Sequence, residues 1–174
     1  MSRSSNTNGF RLIVALAHAA HAVKNCGDVP TTISTCRTNK DAKNPVINFR
    51  SFGEDKYNVT TKSYMYMRGM QDHGIAACAK HFPGHGDTDA DSHVTLPRVN
   101  HDRDRLDSIE LYPFKEIIHK GIGSMMTAHL YLPKINKNDK RASSLTPRIV
   151  DTLLKKQMGF EGLVFTDGLN MGGV

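Results

Sequence analysis

The stretch Lys80-His81-Phe82-Pro83-Gly84-His85-Gly86-Asp87-Thr88-Asp89-Ala90-Asp91-Ser92-His93 places three histidines, three aspartates and a lysine within fourteen residues, with a proline and two glycines to shape the backbone. Ionisable side chains at that density belong on an active-site loop rather than in a core, because each buried charge would need a partner. The apolar run Ile75 to Ala79 precedes it and reads as a short strand. The loop therefore leaves the carboxyl end of a strand, where α/β folds place their chemistry.

From about residue 56 onward one unit recurs: a helix, a short apolar strand, then a polar loop. Tyr64, Met67 and Met70 sit at helical spacing, with a stop near Gly74 before the Ile75 to Ala79 strand. A second helical region runs from about Asp102 to His119, with Pro113 opening its second half and Gly121 ending it; the strand Ser124 to Ala128 then leads into His129. The third unit starts at Thr146 as N-cap with Pro147 at the first helical position, stops at Gly159, and continues into the strand Leu163 to Phe165 and the turn Thr166-Asp167-Gly168. Successive helix–strand units with short connections predict parallel strands, right-handed crossovers and covering helices. His81, His129 and Asp167 each fall just past a strand, so they should converge on one face.

Composition narrows the remaining choices. The 174 residues carry a net charge of +6, from 23 Lys and Arg against 17 Asp and Glu, scattered without a dense basic run or aromatic interleaving. Such charge reads as solvated surface rather than a nucleic-acid interface. Cys26, Cys36 and Cys78 are odd in number and lack C-x-x-C spacing, which suggests neither a disulfide framework nor a zinc site. No run approaches the roughly 20 apolar residues of a membrane span, and Leu12 to Val23 lacks a signal-peptide cleavage pattern.

A carboxylate at Asp167, on a tight turn, can attack an electrophilic carbon while a donor on a neighbouring loop serves the departing oxygen. Asp91 and His93 fit the donor role: two residues apart on an extended loop they point the same way, so the carboxylate orients the imidazole and favours its protonated form. Lys80 and His81 offer donors to sugar hydroxyls or a carbonyl. Blander readings exist for each. The His/Asp loop could hold a metal; a calcium loop through Asp87, Asp89 and Asp91 fails, because Ser92 replaces the needed glycine and Arg98 the needed glutamate. Asp167 alone could cap a helix, Arg50 could pair with Glu54 or Asp55, and His85 could serve the loop's own backbone.

The pattern K-H-F-P-G-H-G, a spacer, then D-S-H resembles the signature of the β-N-acetylglucosaminidase branch of glycoside hydrolase family 3. Asn44 to Ile47, Arg50 to Asp55, Met126 to His129 and Phe165 to Met171 supply further pieces in the same order. The resemblance implies a TIM-type barrel, here an α/β partial (β/α)8 barrel of parallel strands with covering helices, incomplete at both ends. It implies a retaining double displacement in which Asp167 is the nucleophile and His93 the acid/base, oriented by Asp91. Lys80, His81, Arg50 and His129 are the implied sugar-binding residues. The implied substrate is a small molecule or oligosaccharide with terminal N-acetylglucosamine, and no cofactor or metal is expected. The alternative is a degenerate or truncated member that binds carbohydrate without hydrolysing it.

Residues 41–174 carry the resemblance. Residues 1–40 do not match it, and the D-x-E-G-G-R and A-P-x-x-D segments of the family are missing; where the latter strand belongs the chain reads Thr31-Thr32-Ile33-Ser34-Thr35-Cys36-Arg37. A shifted reading frame or misjoined segment would account for this, an expectation that the nucleotide sequence around codons 25 to 42 tests. A whole barrel takes about 250 residues. The chain by itself is therefore expected to be poorly stable and inactive, with open strand edges.

Overall fold

The computed structural model describes residues 31–33, 52–88, 94–137 and 139–174. Four strands, β1 (Thr31–Ile33), β2 (Ala77–Phe82), β3 (Ser124–Thr127) and β4 (Leu163–Thr166), form one sheet in the order β1-β2-β3-β4. Every pairing is parallel. Spatial order that follows chain order, with helical segments between β2, β3 and β4, is the arrangement of a barrel wall, and it agrees with the α/β reading of the sequence.

Helix α1 (Lys56–Gln71) starts where Asp55 accepts a hydrogen bond from the Asn58 amide at 2.8 Å, a side-chain cap that satisfies an otherwise orphaned donor. Val59, Met67 and Met70 turn inward. Gly74 follows with φ +77°, a left-handed turn that suits glycine and releases the chain into β2. That strand differs from its expected limits: it runs to Phe82 rather than ending at Ala79. Lys80 and His81 are thus strand residues, not the base of a loop, and the register shifts between Lys80 and Phe82 where the ladder meets β3. The Lys80–His81 and Phe82–Pro83 peptide bonds are both cis.

The second helical region begins with one turn, Arg103–Arg105, capped by Asp102, passes through a π-turn at Leu106–Glu110 and continues as α2 (Leu111–His119). Pro113 has no amide to give to residue 109, which suits a wider turn just before it. Leu111, Phe114 and Ile117 form its buried face. Gly121, φ +84°, ends it as expected.

The third unit is a π-helix, Arg148–Gln157, with Ile149, Leu153 and Leu154 buried. Thr146 does not cap it through its side chain. Its hydroxyl instead donates to the Ala142 carbonyl at 2.9 Å, while the Thr146 carbonyl accepts from the amides of Ile149 and Val150. The core lies between sheet and helices, where Met67, Phe82, Phe114, Met125, Leu130 and Leu153 join one cluster. No helix among the described residues is long and apolar enough to cross a membrane.

Candidate active site

β4 delivers Asp167 to the carboxyl end of the sheet. Its amide donates to the Thr127 carbonyl at 3.0 Å, one step beyond the β3–β4 ladder, and Thr127 Oγ1 donates to the Phe165 carbonyl at 3.1 Å. The backbone that leads into Asp167 is therefore fixed by the neighbouring strand. The Gly168 amide donates to Asp167 Oδ1 at 3.0 Å, and His81 Nε2 lies 3.3 Å from Oδ2. His81 itself is buried. Hydrogen bonding and charge from His81, with smaller help from the Gly168 amide, hold the Asp167 carboxyl well below the usual carboxylate range against the opposing effect of burial. The result is a half-buried carboxylate that stays ionised and can act as nucleophile or electrostatic partner.

Removing the His81 ring should undo that effect. A carboxyl whose folded pKa is depressed is deprotonated at lower pH, so His81→Ala should move the acid limb of the kcat/KM profile upward, towards or above the ordinary value of about 3.9. An acid limb that stays in place would show that His81 does not hold the charge on Asp167.

His129 occupies a different station from the one expected of it. It is fully buried two residues past β3, with Nδ1 2.6 Å from Ser144 Oγ and Nε2 3.0 Å from the Gly168 carbonyl. Both ring nitrogens face protein groups behind the Asp167 turn. Lys80, part-buried in β2, adjoins His81. Arg50, Asp91 and His93 lie outside the described residues, so the geometry concerns His81, Asp167, Lys80 and His129 alone.

The first half of the histidine loop is tied to the second helical region. His101 Nε2 is 2.6 Å from Asp87 Oδ2, Arg105 Nη2 is 3.4 Å from the same oxygen, and Arg105 Nη1 donates to Glu110 Oε2 at 2.7 Å. Glu110 is almost wholly buried, so this pairing matters more than a surface one. The ligand atoms of Asp87, His101 and Glu110 lie within 4.8 Å of one another, a donor set that could suit a cation. The Arg105 guanidinium, which bonds both Glu110 oxygens, already supplies positive charge there. His85 serves the loop itself, through the Thr88 hydroxyl 2.7 Å from its Nδ1.

Gly84 seats the loop on that anchor. Its φ is +131°, and a Cβ at this position would come within 2.8 Å of Glu110 Cβ, close to the backbone of a residue that cannot swing aside. Gly84→Ala is expected to cost about 2 kcal/mol or more, combining backbone strain with overpacking. A thermal midpoint within a degree or so of the parent would contradict this close approach.

Strands that present a carboxylate, a histidine and a lysine at one end of a parallel sheet define the class: a partial α/β barrel with its chemistry at the carboxyl end. Residues 35–174 match the glycosyl hydrolase family 3 N terminal domain, and the chain belongs to that family. It is similar to Beta-hexosaminidase A of Pseudoalteromonas piscicida, with 39% identity over 150 residues covering 80% of this chain and 25% of that protein. Among solved structures it resembles a glycoside hydrolase family 3 beta-N-acetylglucosaminidase from Paenibacillus sp. str. FPU-7, with 42% identity, a TM-score of 0.79, and coverage of 81% of this chain and 27% of that one. NagZ from Neisseria gonorrhoeae in complex with N-trifluoroacetyl-D-glucosamine matches at 30% identity and a TM-score of 0.73, over 79% of this chain and 40% of that one. The chain thus spans about a quarter to two-fifths of the length of these relatives.

Proposed function

We propose that this chain carries the catalytic residues of a retaining β-N-acetylhexosaminidase that removes terminal β-linked N-acetylglucosamine from glycans or peptidoglycan fragments. The observation that carries the reading is the Asp167 carboxylate, kept ionised by His81 at the carboxyl end of β4. The names of the relatives agree with it, and one of them binds an N-acylated glucosamine.

In the proposed reaction an Asp167 oxygen attacks the anomeric carbon as the bond to the leaving oxygen breaks, and His93, oriented by Asp91, gives that oxygen its proton. A glycosyl ester on Asp167 results. Neutral His93 then takes a proton from water, whose oxygen attacks the same carbon and releases the aspartate. Two inversions return the original configuration. Lys80, His81 and Arg50 bind the sugar, and His129 acts from behind the nucleophile.

Proton NMR of the sugar first released from an aryl β-N-acetylglucosaminide tests the mechanism, together with mass analysis of a trapped intermediate. Retained configuration and a glycosyl adduct on the peptide containing Asp167 are expected. Inverted product, or an adduct elsewhere, overturns the mechanism; sugar binding without release favours a carbohydrate-binding role.

A further inference from the structure

We infer that Ser144 and His129 form a relay that fixes the backbone of the nucleophile turn, with Ser144 selecting the His129 tautomer that donates to the Gly168 carbonyl; this rests on the reading of Asp167 as nucleophile. A carbonyl oxygen can only accept, so the 3.0 Å contact between His129 Nε2 and Gly168 requires the hydrogen on Nε2. In the neutral ring Nδ1 is then an acceptor, and the Ser144 hydroxyl 2.6 Å away is the donor that completes it. Both partners are neutral and the imidazole is fully buried, so the two hydrogen bonds replace what water would otherwise supply.

The relay is braced from below. Ser143, next in the same short 3-10 turn (Ser143–Leu145), donates through Oγ to the Ala128 carbonyl at 2.6 Å and accepts from the Leu130 amide at 3.1 Å. Its own amide donates to the Leu130 carbonyl at 2.8 Å. One serine therefore grips the backbone on either side of His129 while its neighbour grips the ring. The His129 ring in turn holds the carbonyl of the residue directly after Asp167. Both ring nitrogens of His129 are engaged by protein groups, so Ser144 and His129 are positioning residues: they act on the sugar only through the placement of Asp167. A nucleophile displaced by even a fraction of an ångström loses alignment with the anomeric carbon, and such losses appear in kcat rather than in sugar binding.

Nitrogen-15 NMR of histidine-labelled protein tests the relay without any need for turnover. Of the nine histidines, the His129 signal is assigned by its loss in His129→Gln. The parent protein should show the Nε2–H tautomer at neutral pH; an Nδ1–H tautomer or a doubly protonated ring overturns the inference. Ser144→Ala should release the ring into a tautomer mixture and lower kcat about tenfold while KM stays within about twofold. Ser144→Thr, which keeps the hydroxyl, should restore both. A Ser144→Ala protein with parental tautomer and kcat also overturns it, and should that variant fail to fold, the parental tautomer still decides. Failure of the glycosidase reading would show separately, as an Asp167 variant that loses no activity while the tautomer result stands.

Discussion

Asp167→Asn is expected to lower kcat for an aryl β-N-acetylglucosaminide by about three orders of magnitude or more, equivalent to about 4 kcal/mol of lost transition-state stabilisation. The amide is nearly isosteric and its oxygen can still accept from the Gly168 amide, so the turn should survive while the attacking charge is gone. Asp167→Ala opens space at the same carbon, and azide supplied in solution should then displace the leaving group once and yield a glycosyl azide of inverted configuration. Recovery of turnover by azide would place the missing nucleophile at residue 167. Activity within tenfold of the parent in Asp167→Asn would end the proposal.

The same carboxylate makes a pH-dependent contribution to stability. Its pKa is depressed in the folded state, so its stabilising effect is present above the unfolded value of about 3.9 and is lost as pH falls towards the folded one. The thermal midpoints of parent and Asp167→Asn should therefore draw together on acidification below about pH 4, a comparison that separates the charge from the shape of the side chain.

Much of this was legible in the sequence because local signals agreed with the fold. Gly74, Gly121 and Gly159, read as helix stops, adopt φ of +77°, +84° and +70°, the left-handed turns that glycine tolerates. The parallel order of β2, β3 and β4 followed from three helix–strand units. β2 was read too short because Lys80 and His81, just before its last residue Phe82, are polar, and a strand whose end carries function breaks the apolar pattern that announces strands. Thr146 has the composition of a cap, yet a nearby carbonyl competes for its hydroxyl. The Asp87–His101–Arg105–Glu110 network and the Ser144–His129 contact join residues up to 23 positions apart, beyond any local period. The one available hint was an acidic residue, Glu110, beside Leu111 and Phe114 in an apolar helical face.

The packing beneath the site sets the second large effect. Phe114 is fully buried in α2 and meets Phe82, the last residue of β2, edge to face with ring centroids 5.4 Å apart and planes at 83°. That pair joins a covering helix to the strand that carries His81. Phe114→Ala would remove the ring, leave a cavity and lose the aromatic contact, at a cost of about 3–5 kcal/mol. Against a typical domain stability of about 5–15 kcal/mol this is a large share, and at about 2–4 °C per kcal/mol it should lower the thermal midpoint by roughly 6–20 °C. Phe114→Leu, which refills most of the volume, should lose less than half as much. The cost should be read by calorimetry at neutral pH, where Asp167 keeps its charge in both proteins. Because β2 ends at this pair, the alanine variant should also loosen the 3.3 Å contact between His81 and Asp167, and its acid limb in kcat/KM should shift upward in the direction expected for His81→Ala. A destabilised Phe114→Ala protein whose acid limb is unchanged would show that the sheet holds the site independently of the helix packed against it.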